Sequence, residues 1–515
     1  MDIRGIVNLI SNGNTEEAAE RVSILKQEDP SDVRAWIMDA TICEATGDIE
    51  SEKASIAEGM RCDPRNHELF YMLGLILIHT NLNQAYLCFE QALHYCSDTE
   101  DKKEITARLA ELKKQPSLSV RPVSVVIVSY NDRELLQKNI TTFRTDMPKD
   151  AYEIIVVDNH SDDGVEKWLR LQSDLRLIEN GENVGFPVAA NIGVRAARER
   201  NDIFLINNDC IPATNAVFWL RMGLYEDRNV GAVSGISNNA SAQTDPDAPS
   251  SIEACMTYGE KKNIPMRFPY ETRCRFTGFA ILLKREAVDA VTEKKDLLDP
   301  AFSPAYFEDD DLGMRVALAG FRQLLCHNAF LYHRGGDGFM SLAKQESLTR
   351  SRDTFMEKWG FDIWAYTETW DELVDSVDAE RDRPVRVLEL FCGMGVNLSA
   401  IRYRHPHAFV AGVEPYAQIA GLGRTMGDII GGMPETVQFP WPEASFDYIL
   451  ASDALERTAD PVALLNKLKS YLKEDGVIVH TAPEDERMSD LMRHVASTCG
   501  FTKREVVWNL VRLGL

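Results

Sequence analysis

Two groups of acidic residues stand out by their surroundings. Asp209 closes the stretch "IFLINND", where an apolar run of the kind that fills a buried strand stops abruptly in two asparagines and one acid. A lone carboxylate there either shapes an ordinary turn or serves as a ligand at the strand end. Carboxylate oxygen suits a hard divalent cation such as Mn2+ or Mg2+. Further along, "YFEDDDLGMR" crowds Glu308, Asp309, Asp310 and Asp311 together. A carboxylate beside other acids and partly desolvated holds a proton more readily, which suits general-base work. A charged surface face is the plain alternative, but the preceding "PAFSPAYF" reads as a buried approach to a site.

Such residues need a frame, and the chain offers one from residue 121 onward. "VSVVIVSYN" is a continuous apolar run ending in polar residues, followed by the helical "RELLQKNITTF". "YEIIVVDNHSDD" repeats the plan, then "LRLIENGENVGF", then "IFLINNDC". β-branched runs alternating with helices predict a parallel sheet covered on both faces. Ligands of such sheets bind outside the carboxyl ends of the strands, where each of these runs stops in Asn, Asp or Ser.

In order, the pieces VSYN (128–131), VVDNHSDD (156–163), ENVGFPVAANIG (182–193), LINND (205–209), TGFAILLKRE (277–286), FEDDDLGMRVALAGFR (307–322) and LYHRGG (331–336) resemble the inverting family 2 glycosyltransferases of the GT-A fold. The resemblance implies a nucleotide diphosphate-sugar donor and a divalent ion, Mn2+ or Mg2+, held by Asp209 against the leaving diphosphate. It makes His333 a second ligand or a diphosphate contact, a structural histidine being the alternative. Asp158 is expected on the nucleotide base, with Ser129, Tyr130 and Asn131 lining the nucleoside pocket. An Asx turn or helix cap is the other reading of Asp158 and Asn159. Asn183, Asn191 and Asn208 are expected to contact the donor, and Gly185, with Ala189, Ala190 and Gly193, to let backbone approach it closely. The family pattern Glu-Asp-x-Asp-Leu puts Glu308, Asp309 and Asp311 on its acidic positions. Asp309 is then the base that takes the acceptor hydroxyl's proton, Asp310 its main rival, and Asp311 a cap for the helix "LGMRVALAG".

Before residue 115 the chain repeats itself. Gly13, Gly47 and Asn81 are spaced by 34 residues, as are Pro30 and Pro64, and Trp36 and Phe70. A helix-turn-helix period of this length resembles tetratricopeptide repeats. We expect a small solenoid packed on the next domain of the chain, acting as a brace or as a docking surface for a protein acceptor or a second subunit.

After the charge-rich connector "DELVDSVDAERDRPVR" a second α/β pattern begins. "RVLELFCGMGVNLSAI" (386–401), "FVAGVEP" (409–415) and "FDYILASDALERTADP" resemble class I S-adenosylmethionine-dependent methyltransferases. The resemblance makes Glu389, Gly393 and Gly395 the cofactor loop and Glu414 the ribose contact. Phe391 replaces the first loop glycine and Arg457 the usual histidine of the fourth-strand motif. The chain ends soon after what would be the fifth strand and its helix, so the family's closing antiparallel strands are expected to be missing. These departures point to a degenerate, structural domain; active methyl transfer to the sugar product is the alternative.

The expected architecture is therefore multidomain. It comprises an all-α repeat region (1–115), an α/β GT-A (Rossmann-like) transferase core (121–345), a helical connector (346–384) and an α/β class I methyltransferase-like domain (385–515). The net charge of −24 over 515 residues argues against a nucleic-acid partner. No stretch approaches the roughly 18 apolar residues of a membrane span, and the N-terminus does not read as a signal peptide, so a cytoplasmic location is expected. Ten cysteines without a CxxC pair suggest neither a disulfide framework nor a zinc site. The acceptor is expected to be a hydroxyl of a protein, flagellin-like, or of a surface glycan. A catalytically inactive scaffold that recruits partners through the repeats is the reading from another class.

Overall fold

The computed structural model describes residues 3–335, 342–482, 486–507 and 509–514. It divides into two compact units: Met1–Pro269 with Phe276–Asp309 and Leu324–Ser351, and Tyr270–Arg275 with Asp310–Gln323 and Arg352–Leu515.

The first unit opens with helices whose starts recur at about the sequence period: Thr15, Ile49 and Leu82 begin one set, Val33, His67 and Thr99 the other. Asp32, Asp48, Asn66, Asn81 and Asp98 each accept a backbone N–H at the start of their helix, which satisfies donors the helix itself leaves open. The helical pairs pack on the α/β core of the same unit. Phe70 meets Phe218 edge to face with ring centroids 5.1 Å apart, Arg221 pairs with Glu90 at 2.6 Å, and Asn215 Nδ2 donates to Pro64 O at 2.6 Å.

That core is a mixed sheet. Its strands are β1 (Val123–Ser129), β2 (Tyr152–Asp158), β3 (Leu175–Glu179), β4 (Asp202–Asn207), β5 (Cys210–Pro212), β6 (Val230–Ser237), β8 (Ala280–Leu283) and β9 (Arg322–His333), while β7 (Tyr270–Arg273) goes with the second unit. The order runs β3-β2-β1-β4-β8-β6-β9-β5. The expected parallel arrangement holds from β3 to β4 and then turns antiparallel at β8, β6 and the β5–β9 pair. β1 is buried along its whole length, as a strand covered on both faces must be. Gly193 lets the helix Phe186–Ala196 lie against this sheet, because a Cβ there would overlap Val126.

The second unit is built on β10 (Arg386–Leu390), β11 (Phe409–Glu414), β12 (Asp428–Gly431), β13 (Phe446–Ser452), β14 (Leu472–Thr481), β15 (Lys503–Val507) and β16 (Leu510–Gly514). The order is β12-β11-β10-β13-β14-β16-β15, with β16 antiparallel to both β14 and β15. The closing antiparallel strands, expected to be missing, are therefore present. β15 is an exposed edge strand and offers no apolar run to read in the sequence.

Candidate active site

Three loops at the carboxyl ends of β1, β2 and β4 are stitched together by asparagine. Asn131, at φ 61°, donates its N–H to Ser161 Oγ at 2.8 Å and accepts Asp162 N–H on Oδ1 at 2.9 Å. Its carbonyl takes the amide of Asn208 at 2.9 Å. Ser129 is fully buried with its hydroxyl unpartnered, level with Asp158 across the β1–β2 register. Asp158 accepts from Ser161 Oγ at 2.6 Å, a bond within its own loop. Tyr130 stands half exposed at the surface of this loop.

Asp209 follows the β4 end and is half-buried. His333, the last residue of β9, lies opposite Cys210 in the β5–β9 pairing, and its Nε2 stands 3.5 Å from Asp209 Oδ1. Two asparagines that sequence reading passed over fix that ring. Asn238 Oδ1 accepts the His333 N–H at 2.9 Å, and the Asn239 carbonyl takes Nδ1 at 2.6 Å. With Nδ1 engaged by a carbonyl, Nε2 is the ring nitrogen left to face Asp209. Phe279 stacks on the imidazole at 5.0 Å. An imidazole nitrogen and a carboxylate oxygen so disposed fit a divalent cation such as Mn2+ or Mg2+, with water and phosphate oxygen completing the shell. Arg334 was also missed; its guanidinium pairs with Asp132 and reaches within 4.0 Å of Asp209. It lies inside the LYHRGG motif, so the signal was its position beside His333.

The segment 277–279 ties Asp309 to this centre. Phe279 O accepts Asn207 N–H at 2.9 Å, and Gly278 N–H donates to Asp309 Oδ2 at 2.6 Å. Among the four consecutive acids Asp309 alone escapes full burial. Asp310 is ion-paired with Arg275. Asp311 is not the expected cap: the helix begins earlier, at Glu308, and its carboxylate meets Arg315, Lys358 and Trp359.

Three expectations need correction. Asn191 does not offer its amide to a donor, because Oδ1 accepts from Leu297 and Leu298 N–H and Nδ2 donates to Leu298 O at 2.7 Å. Gly185, at φ 83°, makes room for Ser303 and Pro304, which a Cβ would overlap. "PAFSPAYF" is mostly accessible, with only its two phenylalanines, Phe302 and Phe307, buried. Asn183 is exposed; its Oδ1 accepts from Asn159 Nδ2 at 2.8 Å and from Gly185 N–H, which leaves its amide nitrogen at the surface.

In the second unit the loop after β10 carries Phe391 at φ 53°, Gly393 at φ 55° and Gly395 at φ 80°. Glu414, at the end of β11, holds this loop by accepting N–H from Gly393 and from Tyr416, both at 3.0 Å. Glu389 is buried with one oxygen taking Asn397 Nδ2 and the other unpartnered. The two departures from the family pattern sit on one another, Arg457 lying over the Phe391 ring at 5.2 Å. A buried acid near the end of β10 with one oxygen left over can meet a hydrogen-bond donor of a small cofactor.

Residues 124–291 match the family model described as glycosyl transferase family 2, and residues 363–504 match one described as a methyltransferase domain. The chain carries a family 2 glycosyl transferase domain and a methyltransferase domain. The glycosyl transferase AglE of Haloferax volcanii is 35% identical over 119 residues, 22% of this chain and 36% of the relative. Trans-aconitate 2-methyltransferase of an Enterobacter species is 32% identical over 120 residues, 23% of this chain and 48% of the relative. The chain thus spans between a third and a half of the length of these curated relatives. The solved structure of GalNAc-T7 with UDP, GalNAc and Mn2+ aligns with 56% of this chain and 54% of its own, at 14% identity and a TM-score of 0.36. Among the described residues no helix is long and apolar enough to cross a membrane.

Proposed function

We propose that the glycosyl transferase domain moves one sugar, with inversion, from a nucleotide diphosphate-sugar to a hydroxyl of a protein or surface glycan. The observation that carries this is the convergence of Asp209, His333 and Asp309 on the segment 277–279. In the reaction the acceptor oxygen bonds to the anomeric carbon while the bond from that carbon to the diphosphate oxygen breaks. Asp309 takes the hydroxyl proton, as its partial exposure and position beside Gly278 allow. Asp209 and His333 would hold Mn2+ or Mg2+, which when bound supplies Lewis-acid stabilisation of the leaving diphosphate. Arg334 adds a cation at the same edge, and Ser129, Asn131, Asp158 and the accessible Tyr130 frame the nucleoside side. A flagellin-like acceptor is the protein acceptor we favour, with the helical region, joined to this core by a buried polar interface, presenting it.

Release of nucleoside diphosphate from UDP-, dTDP- and GDP-sugars with Mn2+ tests the reading. Turnover of one donor that fails in Asp209→Ala supports it. No turnover with any donor and acceptor would favour the scaffold reading.

The methyltransferase domain carries a second activity in the bifunctional reading, and the complete set of closing strands together with the Glu414–Gly393 contact favours a folded S-adenosylmethionine site. The Phe391–Arg457 pair opposes it, since a phenylalanine takes the place of a loop glycine. Calorimetry with S-adenosylmethionine decides: tight binding supports the bifunctional chain, and no heat of binding supports a structural domain.

A further inference from the structure

Three different metal-binding side chains meet in the helical region, far along the chain from the transferase residues. The His67 ring nitrogen, Cys96 Sγ and an Asp101 carboxylate oxygen lie within 4.8 Å of one another, and this is the one such grouping of three among the described residues. His67 Nε2 and Asp101 Oδ2 are 3.0 Å apart.

Each side chain arrives from a different element. His67 opens the helix His67–Leu77 behind its cap Asn66. Cys96 terminates the helix Leu82–Tyr95, and its Sγ donates to the Asp98 carbonyl at 3.4 Å. Asp101 sits in the first turn of Thr99–Leu112. The histidine and the aspartate are separated by 34 residues, one repeat period, so the stacking of consecutive repeats is what brings them together. The equivalent position one repeat earlier is Val33. The pair is therefore not a requirement of the repeat.

The geometry assigns a zinc site to His67, Cys96 and Asp101. Thiolate sulfur, imidazole nitrogen and carboxylate oxygen together suit Zn2+, which takes four ligands in a tetrahedron at bond lengths of about 2.0–2.3 Å. Such bonds set ligand atoms roughly 3.3–3.8 Å apart. Reaching that spacing takes a small side-chain rotation, which Asp101 can supply because its side chain is 49% exposed. The fourth position falls to water. His67 and Asp101 also line an open cavity of about 280 Å³ with Ile37, Tyr71, Met72 and Ile105, so water has access. A bound ion would pin the starts of two helices and the connection between them. A His–Asp hydrogen bond alone would account for two of the three residues, and the Asp98 contact for the third; only the metal draws all three to one point.

The test uses the full chain stripped with chelator and titrated with Co2+, then Zn2+. A thiolate-to-cobalt charge-transfer band that Zn2+ displaces is expected in the wild type and in Asp209→Ala, which separates this site from the transferase ion. Cys96→Ser should abolish the band. His67→Gln should weaken Co2+ binding by at least about tenfold and remove the rise in unfolding temperature that Zn2+ gives the wild type. A folded wild-type chain without the band, or a Cys96→Ser or His67→Gln chain that binds as the wild type does, would overturn the assignment. Should Cys96→Ser not fold, the His67→Gln titration decides alone.

Discussion

His333 Nε2 faces Asp209 Oδ1 at 3.5 Å, and the ring is fixed from behind by the Asn239 carbonyl on Nδ1 at 2.6 Å. The imidazole therefore has one nitrogen committed to the fold and one directed at the acid that closes β4, an arrangement that an ordinary turn aspartate would not require. Both residues are brought to one place by the β5–β9 pairing, which sets Cys210 against His333.

Asp209→Ala should cut donor turnover by about a hundredfold, since losing about 3 kcal/mol of charge stabilisation is two factors of ten. His333→Ala should instead raise the Mn2+ concentration needed for half-maximal rate, because the acid remains. Steady-state rates against metal concentration read both. An Asp209→Ala rate within twofold of the wild type would remove the ion from this position.

Asp309→Asn and Asp310→Ala should fail in different ways. The first should lower kcat by at least about a hundredfold with little change in unfolding temperature, as expected when a general base is removed. The second should destabilise the chain by about 3 kcal/mol, because it breaks a largely buried ion pair with Arg275. Urea unfolding alongside kcat distinguishes them, and the reverse pattern would make Asp310 the base.

Asn191→Ala should weaken the fold by about 2–3 kcal/mol and leave the donor KM unchanged. Two backbone N–H groups, of Leu297 and Leu298, lose their acceptor in a buried setting. A rise in donor KM without loss of stability would return Asn191 to the donor site.

Stability should fall as pH rises toward 8, and Glu389 is one source. Burial pushes its carboxyl up from the ordinary 4.5 to about 8, the Asn397 hydrogen bond opposing and Glu414 adding to the shift. Between those values the folded chain keeps a proton that the unfolded chain has released, so each rise in pH favours unfolding until the folded group ionises too. Below about 4.5 the two states are alike and the effect is absent. Glu389→Gln should flatten this part of the profile, which unfolding midpoints across the range would reveal; an unchanged slope would assign it to other groups.

The strand ends were legible because apolar runs that stop in Asn, Asp or Ser before a helix leave few other folds, and the helical repeat was legible because its period is a matter of counting. Partner choice was not. The amide of Asn191 reads the same whether it meets a ligand or the backbone of Leu297 and Leu298, which lie more than a hundred residues away. Asp310 looked like a rival base because Arg275, which occupies it, is 35 residues distant. The closing strands were hidden for another reason: β15 is nearly all exposed, and the apolar pattern of β16 is broken by Arg512, whose charge is answered by Asp378 at 3.0 Å.

Arg221, enclosed in the helix after β5, finds its counter-charge on Glu90 of the preceding helical region. Trimming the chain to begin at residue 121 would strand that guanidinium and strip the cover from Phe218 beside it. The helical region thus acts as a lid on the transferase core's own helix, and a chain that lacks it should unfold at a lower temperature than the full chain.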